Sequence, residues 1–182
     1  MFGFNPLYKS DGYKPSHKFM LVKGTTKVYG TWIPRSLKRA PKGIEKVVSF
    51  GQQMVWKEID EDFTYNFFNP HKFDIEKTIE NGRPTVKIVN VRPGTKEDAL
   101  KFAKDYSEYF GGQYDAQHFS DLWDLGYLPI KVKALPEGIE TPAGIPHMTF
   151  VNTKDHFGWL TLYLETIVSN KAWKPSTSTK IQ

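Results

Sequence analysis

The stretch LPIKVKALPEGIETPAGIPHMTFV, residues 128–151, decides the fold class. Across Leu128–Leu135 apolar and charged residues alternate, which is the period of a half-buried strand. Pro136-Glu137-Gly138 carries turn chemistry, and residues 140–144 read as a second turn. Pro146–Val151 reads as another strand. Asp155 is placed to cap a helix that runs through Asn170, with Phe157, Leu160, Leu164, Ile167 and Val168 on its apolar face.

Upstream, Thr26–Ile33 is rich in β-branched and aromatic residues and reads as a strand ended by Pro34, with a basic loop over Arg35–Gly43. Residues 43–60 have helical apolar spacing. Residues 61–74 mix aromatics with a proline and give no clear element. Asn81-Gly82 is a turn signal that introduces a strand over Thr85–Val91. Thr95 is a plausible N-cap, followed by Glu97 and Asp98 in the first turn and by an apolar face that stops at Gly111-Gly112. A short helix over Ala116–Leu125 ends at Gly126. Helices and strands mix without a βαβ repeat, so the expected class is α+β, a mostly antiparallel sheet with packed helices. The chain is read as one domain over 1–182. It comprises a basic loop and strand (1–43), a largely helical part (44–127), strands (128–154), a helix (155–173) and a tail (174–182).

Composition narrows the chemistry. At 182 residues the chain can bury a core without staples. It has no cysteine, so it has no disulfide, thiolate metal site or cysteine nucleophile. The opening residues lack a basic region followed by an apolar one, and no apolar run reaches membrane length. The expectation is a soluble, cytoplasmic protein without membrane partners. The net charge is +5, but its distribution says more. Between Gly12 and Ile44 lie Lys14, Lys18, Lys23, Lys27, Arg35, Lys38, Arg39 and Lys42, with no acid among them. Such a block suits phosphate or nucleic acid, or is simply a solvated face. Tyr13, Phe19, Tyr29 and Trp32 are interleaved with it, and aromatics are more often core than stacking platforms.

Standard catalytic patterns are absent: no G-x-G-x-x-G, no P-loop, no G-x-S-x-G and no H-E-x-x-H. The histidines at 17, 71, 118, 147 and 156 never fall at i, i+4, so no helix offers a two-histidine metal face. What remains conspicuous is SDGYKPSHKF, residues 10–19. It sets an acid, a glycine, an aromatic ring, a cation and an imidazole within seven positions. Read from the residues alone, it is a ligand loop or a polar segment in which Tyr13 packs on the core and Asp11 caps a turn.

Several short motifs, in order, point further. They are Asp11-Gly12-Tyr13-Lys14-Pro15-Ser16-His17, of the form D-x-Y-K-x-x-H; a T-x-K-V-Y strand over Thr25–Tyr29, leading on to Arg35; and Phe50-Gly51-Gln52-Gln53 at a helix. Next come residues 126–146 with the P-E-G turn, then Val151-Asn152-Thr153, and last Trp159-Leu160 with Glu165-Thr166. Together they resemble the N-terminal part of nicotinamide phosphoribosyltransferase. The resemblance spans nearly the whole chain and is weakest over 61–93.

The resemblance implies the N-terminal domain of a type II phosphoribosyltransferase lacking the barrel domain. It implies a pentosyltransferase reaction of NAD biosynthesis, in which nicotinamide and phosphoribosyl pyrophosphate give nicotinamide mononucleotide and pyrophosphate. Tyr13 matches the tyrosine that stacks on the nicotinamide ring across a dimer interface. Arg35 matches an arginine that reaches phosphate across the same interface. Asp11 and Lys14 flank the tyrosine and are expected to shape the loop or bind substrate, while His17 is given no catalytic role. No catalytic residue and no metal ligand is assigned within this chain. Mg2+ with phosphoribosyl pyrophosphate, and ATP as a further candidate, are expected in the complete enzyme. Family members are longer, so the chain alone is expected to be inactive and to act as a homo-oligomer or with a C-terminal half. Alternatives are a nicotinate phosphoribosyltransferase fragment, or a non-catalytic remnant or binding module for full-length enzyme or phosphorylated ligands. Nucleic acid is disfavoured because no R-G-F/Y-type strand motif accompanies the basic block.

Overall fold

A computed structural model describes residues 4–112 and 114–178, the last three by backbone alone. The chain forms two compact units. One comprises Met1–Tyr8 and Glu61–Tyr127, the other Lys9–Asp60 and Leu128–Gln182. The first is described from Phe4 and the second up to Ser178. All strand pairs are antiparallel and are distributed over three small sheets, in keeping with the expected α+β class. No barrel forms among the described residues.

The second unit is built on a three-stranded sheet and a long helix. The sheet has the order β1 (Tyr29–Trp32), β7 (Met148–Asn152), β5 (Ile130–Ala134). Its pairings include Gly30↔Phe150 and Val132↔Phe150, which put Phe150 at the centre of the inner face. Helix α4, Gly158–Ser178, packs on β1 and β7. It follows a short 3-10 turn, Asp155–Phe157. Trp159, Leu160, Tyr163, Leu164, Ile167, Val168 and Ala172 of this helix are all buried. A helix with apolar residues on so many sides must be covered on as many.

The expected helix over 43–60 divides. Lys46–Val48 forms β2, paired with β6 (Glu140–Pro142) through Val47↔Thr141, and helix α1 begins only at Gln52. Two distant tripeptides pair here, so neither carries enough alternation to be recognised alone. That pairing is also why residues 140–144, expected as a turn, contain a strand. Between β2 and α1, Gly51 takes φ +84° beside Pro175, a conformation that other residues adopt only with strain. The carboxylate of Glu137 accepts from the backbone N–H groups of Gly51 (3.2 Å) and Gln53 (3.4 Å), satisfying donors at the start of α1. Trp56 of α1 donates to Met148 Sδ at 3.3 Å and lies 5.2 Å from the Phe150 ring.

Two buried polar side chains secure the sheet. Asn152 accepts from Val28 N–H at 2.8 Å and donates to the carbonyls of Thr26 (2.7 Å) and Lys154 (2.8 Å), fixing the chain just before β1. His147, 1% exposed, shares a 2.7 Å hydrogen bond with the Thr141 hydroxyl. Burial lowers its pKa, so the ring stays neutral at physiological pH.

The first unit contains the end of α1 (Gln52–Phe63), a π-helical turn over Thr64–Phe68, and a hairpin. The hairpin joins β3 (His71–Glu80) to β4 (Arg83–Pro93) through Asn81 (φ 51°) and Gly82 (φ 73°), a two-residue turn in the left-handed region. The start of β3 falls in the stretch 61–74 that gave no clear element, where aromatics mix with a proline. Helices α2 (Lys96–Tyr109) and α3 (Gln117–Leu125) follow. The expected N-cap is present as a reciprocal box: Thr95 accepts from Asp98 N–H, and the Asp98 carboxylate accepts from Thr95 N–H at 2.7 Å. That backbone donor, then Lys72 at 2.9 Å, holds the Asp98 pKa below its ordinary value. The α2 helix ends at Gly111 and Gly112, and α3 at Gly126, all at positive φ. The core of this unit is aromatic, with Phe63, Phe67, Phe102 and Phe119 buried around Leu7 and Leu122.

The expected helix through Asn170 extends to Ser178, with Pro175 inside it. The expected tail therefore begins within helix, and residues 179–182 lie outside the described residues.

Two substitutions test this packing. A Cβ on Gly30 would lie 2.3–2.8 Å from the Phe150 ring. Gly30→Ala should therefore lose on the order of 1–3 kcal/mol in denaturant unfolding, as overpacked cores do. Thr95→Ala removes the side-chain half of the α2 cap and should lose about 1 kcal/mol, measured the same way.

Candidate functional site

The segment 10–20 lies against α4. Ser10 Oγ donates to the Tyr163 carbonyl at 2.9 Å. Asp11 Oδ2 accepts from the Thr166 hydroxyl at 2.7 Å and from the Tyr13 hydroxyl at 3.2 Å. The backbone then closes two tight turns, Lys14 N–H to Asp11 C=O at 2.9 Å and Ser16 N–H to Tyr13 C=O at 3.1 Å. A 3-10 helix runs over Lys14–Met20, with Pro15 near its start, where a missing N–H does no harm.

Lys14 is the unexpected member. It is only 4% exposed, and its ammonium lies 2.6 Å from Glu165 Oε2. A buried ammonium left alone would lose its hydration with no return, and that carboxylate supplies the compensation. The same ammonium lies 5.5 Å from the centroid of the Tyr13 ring. The Tyr13 side chain itself is 55% exposed and tilted against the His17 ring, 5.2 Å away. Burial lowers the His17 pKa, the Lys14 cation lowers it further and Glu165 opposes both. His17 is thus held neutral at pH 7.

The structure therefore brings Asp11, Tyr13, Lys14 and His17 together. Arg35 is exposed beyond Pro34, and no hydrogen bond or ion pair among the described residues joins it to that group. The alternative in which Tyr13 packs on the core is not what the geometry gives: Tyr13 is half exposed, and Lys14 takes the buried position. Glu165 and Thr166 were noticed as a motif but given no part in the site. The signal that could have found them was an acid and a hydroxyl at adjacent positions within the apolar run Leu160–Val168.

The basic block sorts into roles. Lys14 is internal, and Lys27 is held by Asp155 (3.3 Å) and the Asn152 carbonyl (3.1 Å). Lys23, Arg35, Lys38, Arg39 and Lys42 are exposed. Tyr29, 71% exposed, and Phe19 also face solvent. Among the described residues no three His, Asp or Glu side chains gather to hold a metal ion, and no helix is long and apolar enough to cross a membrane.

The electrostatic reading can be checked by following the His17 ring protons in an NMR titration. Its midpoint should lie below the ordinary 6.5. Glu165→Gln should lower it further, because an opposing anion is gone. Lys14→Met should raise it, because a neighbouring cation is gone. Midpoints that ignore both changes would mean the three groups are not coupled.

No protein-family model matches the chain. It is 33% identical over 184 aligned positions to nicotinamide phosphoribosyltransferase of Acinetobacter baylyi (strain ATCC 33305 / BD413 / ADP1), and the match covers 99% of this chain. The chain spans about a third of that relative's length, 32%. By this similarity the chain, over nearly its whole length, resembles a portion of nicotinamide phosphoribosyltransferase.

Proposed function

We propose that this chain supplies one edge of a nicotinamide mononucleotide-forming site, completed by further family sequence and by a second subunit. In the reaction, the ring nitrogen of nicotinamide bonds to C1 of the ribose while the C1–O bond to pyrophosphate breaks. The electron pair leaves with pyrophosphate, and positive charge builds on the sugar. A site for this must hold a flat neutral base, bind several phosphates and exclude water. Tyr13 provides the aromatic face for the base, and Arg35 provides a planar, permanently charged fork for phosphate oxygens.

The observation that carries this reading is the contrast within one loop. Lys14 and Asp11 are tied to α4, while the Tyr13 ring between them stands half exposed with a face available for stacking. An aromatic ring on an anchored segment offers surface to a heterocycle at small entropic cost. Mg2+ would enter with the diphosphate of the substrate, since no three His, Asp or Glu side chains gather among the described residues. We place the working assembly in the cytoplasm as a dimer or a complex with a complementary polypeptide, and expect no turnover from the purified chain alone. Nicotinate is the competing base, and its carboxylate would require a cation beside the ring.

The test is mononucleotide formation by the chain co-purified with a complementary C-terminal family polypeptide, with nicotinamide and nicotinate in competition. Tyr13→Ala should weaken use of nicotinamide by on the order of ten- to a hundredfold, the size of a lost base stack. Tyr13→Phe, which keeps the face and loses only the hydroxyl, should stay within about threefold. Turnover by the purified chain alone, or an active Tyr13→Ala enzyme, would overturn the reading.

A further inference from the structure

We infer that Glu165 and Thr166 are positioning residues for the Tyr13 ring, acting through Lys14 and Asp11. This rests on the reading of Tyr13 as the wall of the base pocket. Glu165 and Thr166 are consecutive on α4, so their side chains leave the helix about 100° apart. One turns to the Lys14 ammonium (2.6 Å), the other to the Asp11 carboxylate (2.7 Å). They thus grip the loop on both sides of the tyrosine.

The loop is also closed on itself. The Lys14 amide returns to the Asp11 carbonyl, the Ser16 amide and hydroxyl both return to the Tyr13 carbonyl, and the Tyr13 hydroxyl reaches the same Asp11 oxygen that Thr166 holds. With Ser10 bound to the Tyr163 carbonyl, the segment has three attachments to one helix. The charged and titratable groups facing this cluster are Asp11, Lys14, His17 and Glu165.

This geometry argues that Lys14 and Asp11 act on the loop rather than on substrate. Lys14 would have to leave its ion-pair partner Glu165 and its buried position to meet a phosphate. Asp11 Oδ2 already accepts two hydroxyl hydrogens. A stacking ring contributes most when its orientation is settled before the base arrives, because the ordering cost is then not charged against binding. Glu165 and Thr166 supply that settlement from outside the pocket.

The experiment compares wild type with Glu165→Gln, Thr166→Val and Thr166→Ser. Glu165 is exposed at its side chain and Gln is isosteric, so that variant keeps the fold even if Thr166→Val does not. Amide exchange at Lys14 and Ser16 should accelerate about tenfold or more in Glu165→Gln and Thr166→Val, the size of a lost charge-assisted hydrogen bond. Amides in the middle of α4 should be unchanged, and Thr166→Ser should restore protection. Fluorotyrosine at position 13 should show a shifted and narrowed 19F resonance in the two weakened variants only. With the complementary polypeptide, KM for nicotinamide should rise and that for phosphoribosyl pyrophosphate should not. Wild-type exchange and 19F signals in Glu165→Gln and Thr166→Val would overturn the inference, whatever Tyr13→Ala does. An inert Tyr13→Ala change with altered loop exchange would instead overturn the base-wall reading and leave the clamp standing.

Discussion

Helix α4 buries apolar residues over more than one side, and the second unit is arranged around the need to cover them. Strands β1 and β7 lie against it, and so does the segment carrying Lys14 and Pro15. At roughly 25 cal/mol per Å² of apolar surface removed from water, a helix of this kind is stabilised mainly by its cover rather than by its own hydrogen bonds. The same demand explains why a lysine is buried. The segment that covers this part of α4 must be polar enough to turn tightly, and Glu165 on the helix neutralises the cation that comes with it.

The motifs that stand out along the chain are separated by long intervals but meet in pairs. Asn152 ties the end of β7 to the residues before β1, and Glu137 of the P-E-G turn satisfies donors at the start of α1. Glu165 and Thr166 hold the loop of Asp11 and Lys14. Each pairing joins a side chain with strong hydrogen-bonding capacity to a backbone or an opposite charge that would otherwise be unsatisfied. These residues therefore do structural work. The side chain left over in the first loop is the half-exposed Tyr13.

The first unit depends on different forces. Its core is a cluster of aromatic rings, and its hairpin turns at Asn81-Gly82, with Ile75 paired to Ile88 across the strands. Cross-strand ion pairs such as Asp74–Arg92 and Glu80–Lys87 are exposed, and such pairs add little individually. The local signals here, the N-cap at Thr95 and the glycine stops after α2 and α3, coincide with the element ends.

Where a signal is local, the sequence by itself determined the outcome. Period-two alternation located β5, an N-cap residue marked the start of α2, glycines ended α2 and α3, and the loop of residues 10–19 was legible as unusual from its residue types. What only the tertiary structure decided are the features that need two distant segments. The pairing of β2 with β6 turned part of an expected helix into a strand and an expected turn into its partner, because three residues of each carry no period of their own. The exchange of roles between Tyr13 and Lys14 belongs here as well. Tyrosine is ordinarily the residue to bury and lysine the one to expose. A carboxylate from a helix some 150 residues later reverses that order, since only an opposite charge at 2.6 Å makes a buried ammonium tolerable.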